Sequence, residues 1–182
     1  MAIRLGFGEQ GGTRNFNFGQ RDEDGGLHDY LRFNRDLTIK ETDGFFLRAE
    51  SFYNVASEID NLGVAHRYGG KSLHTVSHGE AFIALVQYRF KDESIFLLDE
   101  PEAALSPARL LVLLKEIHWL VKSGCQFIIA THSPILMAYP NARIYWLDQD
   151  GISERDWNDT EHVDLTRSFL NSPNTFLRHL LE

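Results

Sequence analysis

The stretch Ser94-Ile95-Phe96-Leu97-Leu98-Asp99-Glu100-Pro101-Glu102 decides the fold. Its apolar run has the length of one strand and ends abruptly in carboxylates. Continuous apolarity predicts a strand buried on both faces, as in a parallel sheet, where ligands gather at the carboxyl ends of the strands. Asp99 and Glu100 therefore stand where a site belongs. An Asp there can hold a hydrated Mg²⁺, and the Glu after it can orient or deprotonate a water for attack on a phosphoryl group. The plain alternative is a solvated strand end.

Downstream, Ser106-Pro107 opens a helix, with Ser as N-cap and Pro at the first helical position. The helix runs to about Val121, and Leu110, Leu111, Leu113, Leu114, Ile117 and Leu120 form its apolar stripe. Lys122-Ser123-Gly124 ends it. A second buried strand follows at Gln126 to Ala130 and terminates in Thr131-His132-Ser133-Pro134, which puts His132 on the same rim as the carboxylates. A third strand, Ala142 to Leu147, leads to the turn Asp148-Gln149-Asp150-Gly151. Residues 161 to 182 read as two short amphipathic helices divided at Asn171-Ser172-Pro173.

Upstream, Ser77-His78-Gly79-Glu80 places Ser three residues before Glu, a capping box, and Ala81, Phe82, Leu85 and Tyr88 follow at helical spacing. The first amides of that helix lack intrahelical partners, so the end can accept an anion; an ordinary cap is the plain alternative. Gly44 to Tyr53 is aromatic enough to begin as a buried strand and then continues as a helix to about Ile59, a pattern read as core packing. Residues 20 to 43 read as loop, a short helix near Leu27 to Phe33, and loop.

Two glycine motifs are decoys. Gly6-Phe7-Gly8-Glu9-Gln10-Gly11 matches a dinucleotide-binding pattern by letter, but no helix pattern follows it; Arg14 to Phe18 alternates like a strand, and a flexible surface loop is the better reading. Gly69-Gly70-Lys71-Ser72 is the tail of a P-loop whose first glycine position holds Ala65, and no apolar strand leads into it.

The chain has 182 residues, room for one ordinary domain. Its 43% apolar and 24% charged residues set aside disorder, collagen and coiled coil. A net charge of −8 does not advertise a surface for nucleic acid or anionic lipid. The lone Cys125 excludes an internal disulfide, and with no leader-like or membrane-length apolar run the sequence points to the cytosol.

In order, Ser-His-Gly-Glu at 77 to 80, Ile-Phe-Leu-Leu-Asp-Glu-Pro at 95 to 101, Ala-Ala-Leu-Ser at 103 to 106 and Thr-His-Ser at 131 to 133 resemble the signature, Walker B, D-loop and switch histidine of ABC-type ATPases. The Ala-Thr-His-Ser-Pro context resembles the soluble SMC-like, "AAA family" bacterial ATPases more than transporter subunits. The resemblance implies ATP and Mg²⁺ as cofactors, with Asp99 binding the metal through water, Glu100 as general base and His132 contacting the γ-phosphate. It implies that Ser77, His78, Gly79 and Glu80 meet ATP held by a second subunit, with Ser106 in the D-loop across the dimer. His78 stands where the family commonly has glycine; Glu80 is the form of the SMC-like branch.

The fold so implied is α/β: a P-loop NTPase with an ABC-ATPase-like parallel-sheet core and helical insertion, lacking the N-terminal P-loop strand and helix. One domain is expected over 1–182, with a loop and helical region at 1–76 and the signature, Walker B and switch-histidine core at 77–182. The strand that the family places between 126–130 and 142–147 is missing, so two apolar edges are expected. The function so implied is ATP binding and hydrolysis as a dimer with ATP at the interface. The alternatives are a non-catalytic module donating its signature to a P-loop-containing partner, or an inert remnant. The expected partner is a second copy or a P-loop-containing homologous subunit.

Overall fold

A computed structural model describes residues 1–8, 11–14, 27–30, 32, 43–61, 63 and 73–182. Most of the 20–43 stretch, the alternating Asn15 to Phe18 and the whole Gly69-Gly70-Lys71-Ser72 tail lie outside the described residues. The chain divides into two units, Met1–Thr131 and His132–Glu182.

The first unit is built on a four-stranded sheet in the order β1 (Gly12–Thr13), β2 (Asp43–Arg48), β3 (Ser94–Asp99), β4 (Gln126–Ala130). β1 is antiparallel to β2, and β2, β3 and β4 are mutually parallel. This gives an α/β architecture with a parallel-sheet core, compatible with a P-loop NTPase fold. β2, drawn from the 1–76 segment, is a full partner of β3. β3 is buried along Ser94 to Leu98, as its unbroken apolarity predicts.

Side chains alternate across the sheet. On one face Phe46, Ile95 and Leu97 join Leu5 and Phe7 in a core cluster. On the other face Phe45, Phe96 and Phe127 form one rung of the register, and Phe90 stacks on Phe96 with ring centroids 3.9 Å apart. Burial of Phe7 corrects the surface-loop reading of the first glycine motif, and a two-residue strand, not a helix, follows it.

β4 departs from expectation. Its composition predicts double burial, yet Gln126 and Ala130 are exposed and Phe127, Ile128 and Ile129 are only half-buried. The reason is position: β4 is the outer strand of the described sheet, so it has a neighbour on one side only.

Among the described residues, three α-helices of this unit bury apolar faces. In α1 (Phe52–Asn61), Phe52, Ala56 and Ile59 are buried at helical spacing. In α2 (His78–Arg89), Ala81, Phe82, Leu85 and Val86 are buried, and Phe82 meets Phe52 at 5.6 Å between rings. Tyr88, expected on that face, is exposed. α3 (Pro107–Lys122) buries Leu110, Leu113 and Ile117, whereas Leu111 is 60% exposed and does not belong to the stripe. At the far end of α2, Arg89 donates from both Nη atoms to Asp43, at 2.6 and 3.3 Å. Burial raises the Asp43 pKa, but the Arg89 fork and the Gly44 amide outweigh it, and the carboxyl ionises below its ordinary range.

The second unit carries α4 (Pro134–Met137), β5 (Ile144–Asp148), β6 (Gly151–Arg155), α5 (Glu161–Asn171) and α6 (Pro173–Leu181). β5 begins two residues later than expected and pairs antiparallel with β6 in a separate two-stranded sheet. Gly151 closes the hairpin at φ 118°, a conformation that L side chains rarely adopt. The two C-terminal helices are those expected, and Phe169 and Phe176 meet across their junction at 5.8 Å. Thr160, fully buried at the N-cap of α5, donates from Oγ1 to the Trp157 carbonyl at 2.8 Å. Among the described residues, no helix is long and apolar enough to cross a membrane.

Candidate functional site

Three parallel strands end level with one another, because Asp99 is in register with Arg48 of β2 and with Ala130 of β4. That register brings a guanidinium to the carboxylate: Arg48 donates from Nε to Asp99 Oδ2 at 3.0 Å and from Nη2 to Glu50 Oε2 at 3.3 Å. The chain then turns sharply. Glu100 has φ 47° and ψ 50°, the left-handed region, which costs a non-glycine residue roughly 1 kcal/mol. Its amide donates to the Ala130 carbonyl at 2.9 Å, and its own carbonyl accepts from Ala103 at 3.0 Å. Buried Pro101 opens the short 3₁₀ turn Pro101–Ala104. The turn thus presents the Glu100 side chain at the exposed rim. Glu102 is half-buried and accepts from Thr131 Oγ1 at 2.8 Å. Three neighbouring carboxylates have three different settings: Asp99 on a cation, Glu100 at the rim, Glu102 on a hydroxyl.

The residues at the start of α2 gather around Arg109. Glu80 Oε2 accepts from both the backbone amide and the hydroxyl of Ser77, at 2.9 and 2.7 Å, and Arg109 Nη2 lies 3.1 Å from Glu80 Oε1. The Ser77 hydrogen bonds, side chain first and then backbone, hold the Glu80 pKa below its usual value. Ser106 caps α3 by accepting the Arg109 amide at 3.4 Å. Gly79 packs so closely that an added Cβ would lie 2.8 Å from Arg109 Nη1 and 3.1 Å from the Ala104 carbonyl oxygen. His78, the departure from the family pattern, sets its ring edge-to-face on Phe52 at 5.2 Å. Ser77, Gly79, Glu80 and Ser106 are therefore one assembly, joined through Arg109.

His132 belongs to the second unit. Its Nδ1 lies 3.1 Å from Nε2 of His162, with ring planes at 86°. Sequence reasoning missed Arg48, Arg109 and His162. The one usable signal was for Arg109, three residues after an N-cap Ser; Arg48 and His162 reach their partners through pairings that no local pattern encodes.

The fit of a Mg²⁺ can be judged from the donor set. Among the described residues, no group of three or more His, Cys, Asp or Glu could hold a metal ion. Mg²⁺ needs no such cage: one or two carboxylates suffice when waters and substrate phosphates complete the octahedron. Asp99 suits that arrangement, with Arg48 as the competitor for one of its oxygens.

No curated protein and no solved structure matches the chain. Residues 80–138, about a third of it, match a family model described as "AAA domain, putative AbiEii toxin, Type IV TA system". That segment runs from Glu80 through Asp99, Glu100, Ser106 and His132. The similarity supports an AAA-type, ATPase-like nucleotide-binding domain.

Proposed function

We propose that this chain works as an ABC-type, SMC-like ATPase domain, with MgATP held between two subunits. Asp99 holds the metal through water, Glu100 is the general base and His132 a γ-phosphate contact. The Ser77 to Glu80 end of α2, with Ser106, faces the nucleotide of the other subunit. The carrying observation is the left-handed turn at Glu100, which sets one carboxylate at the rim directly after a carboxylate ending a buried parallel strand. Bound Mg²⁺ would neutralise phosphate charge there. The 182 residues contain no complete G-x-x-x-x-G-K-[ST], so the phosphate cradle in this reading comes from residues outside them.

Arg48 sharpens the test. With Mn²⁺ as probe, followed by its electron paramagnetic resonance signal, wild-type protein assembled with a P-loop-containing subunit takes up the ion in the presence of ATP. Asp99→Asn lowers that uptake about tenfold, the low end of the loss expected of a residue that holds a metal through its water. Arg48→Met raises uptake without ATP several-fold, because a half-exposed ion pair competes weakly but measurably. Equal Mn²⁺ uptake by wild type and Asp99→Asn would overturn the metal assignment.

A second reading is favoured by the outer, half-exposed β4 and by the exposed Ser77 at the start of α2. Here the chain is a module that completes a P-loop-containing homologous subunit and offers Ser77 to its nucleotide. Added to such a subunit, wild-type chain raises its ATP turnover and Ser77→Arg does not; equal stimulation by both sinks this reading.

A further inference from the structure

We propose that His162 is a positioning residue for His132, donating its Nε2–H to His132 Nδ1 and thereby holding His132 as the tautomer that carries its proton on Nε2. The proposal rests on the reading of His132 as a phosphate contact. Two imidazole nitrogens 3.1 Å apart share a single proton, so one ring donates and the other accepts. The direction of that bond fixes the tautomer of both rings together. A histidine that is to donate to a phosphate oxygen through Nε2 must accept at Nδ1. His162 is placed to supply that proton.

His162 is held by its surroundings. It sits in the first turn of α5, between the fully buried N-cap Thr160 and the buried Val163, and its ring lies 5.1 Å from that of Trp146 in β5. His132, by contrast, is exposed at the loop end following β4. The near-perpendicular ring planes, at 86°, let the edge of one imidazole address the other. A half-buried ring on a helix thus orients an exposed ring on a loop, the relation by which outer partners set the tautomer of working histidines.

The test is a long-range proton–nitrogen spectrum of the imidazoles in the full chain with isotope-labelled histidine. Wild type should show His132 in the single Nε2–H pattern. His162→Leu should lose that pattern and give an averaged, mixed-tautomer signal. His162→Gln should restore it, because the carboxamide still donates. His132 found as the Nδ1–H form in wild type, or unchanged in a folded His162→Leu protein, overturns the proposal. Should the Leu variant fail to fold, the wild-type pattern and the Gln variant still decide. ATP is then added with a P-loop-containing subunit. Movement of the His132 signals supports the phosphate contact, while Nε2–H signals that stay unmoved overturn that contact and leave the His162 bond itself established.

Discussion

Glu100→Gln lowers ATP turnover by roughly 10²- to 10⁴-fold, the range lost with a general base, while nucleotide stays bound. The substitution is conservative, because it keeps the size of the side chain and the backbone bonds of residue 100. The amide bond to Ala130 and the carbonyl bond to Ala103 are both kept by glutamine, and so is the left-handed turn. The side chain, at the exposed rim, loses its charge and its ability to take a proton. Phosphate release by the assembled, P-loop-containing complex measures the rate. On the proposed reading, in which hydrolysis releases the subunits, size-exclusion chromatography with light scattering should find the variant accumulating as a nucleotide-bound dimer. Turnover equal to wild type would remove Glu100 from the role of base.

The largest effect on stability should come from Phe96→Ala, which costs about 3–5 kcal/mol. Phe96 is 1% exposed, stacks on Phe90 and meets Phe127 at 5.1 Å, so truncation empties the centre of a rung that spans three strands. Domains of this kind are stable by only about 5–15 kcal/mol, and a loss of that size should move the urea midpoint sharply or remove soluble protein altogether. Leu111→Ala is the internal control. The residue is equally apolar but 60% exposed, and its loss should stay within about 0.5 kcal/mol. Comparable costs at the two positions would mean that the buried faces are wrongly assigned.

Much of this architecture was legible because it is locally encoded. The unbroken Ile95 to Leu98 run marks a strand buried between two others, Ser106-Pro107 marks a helix start, and Ser77 with Glu80 marks another. What escaped depends on neighbours far away in sequence. Tyr88 and Leu111 have helical spacing but point outward, because the faces of α2 and α3 are set by what lies beneath them. β4 has the composition of a central strand and the exposure of an outer one. β6, Gly-Ile-Ser-Glu-Arg, carries a single large apolar residue and draws its order from pairing with β5. The same holds at the site. Asp99 and Glu100 announce themselves as acids at a strand end, but the cation facing Asp99 comes from 51 residues upstream, set only by sheet register. His162 lies 30 residues beyond His132.

Gly79 has a bearing on how mutational data from this region would be understood. A glycine in a nucleotide-facing motif is commonly credited with making room for a phosphate, yet here its missing Cβ makes room for the chain's own Arg109 and Ala104. A larger residue would displace the Arg109 side chain and press on the Ala104 carbonyl, disturbing the ion pair of Arg109 with Glu80. An inactive Gly79 variant therefore reports a disturbed Arg109 as readily as a lost ligand contact, and the loss has to be read beside that of an Arg109 variant.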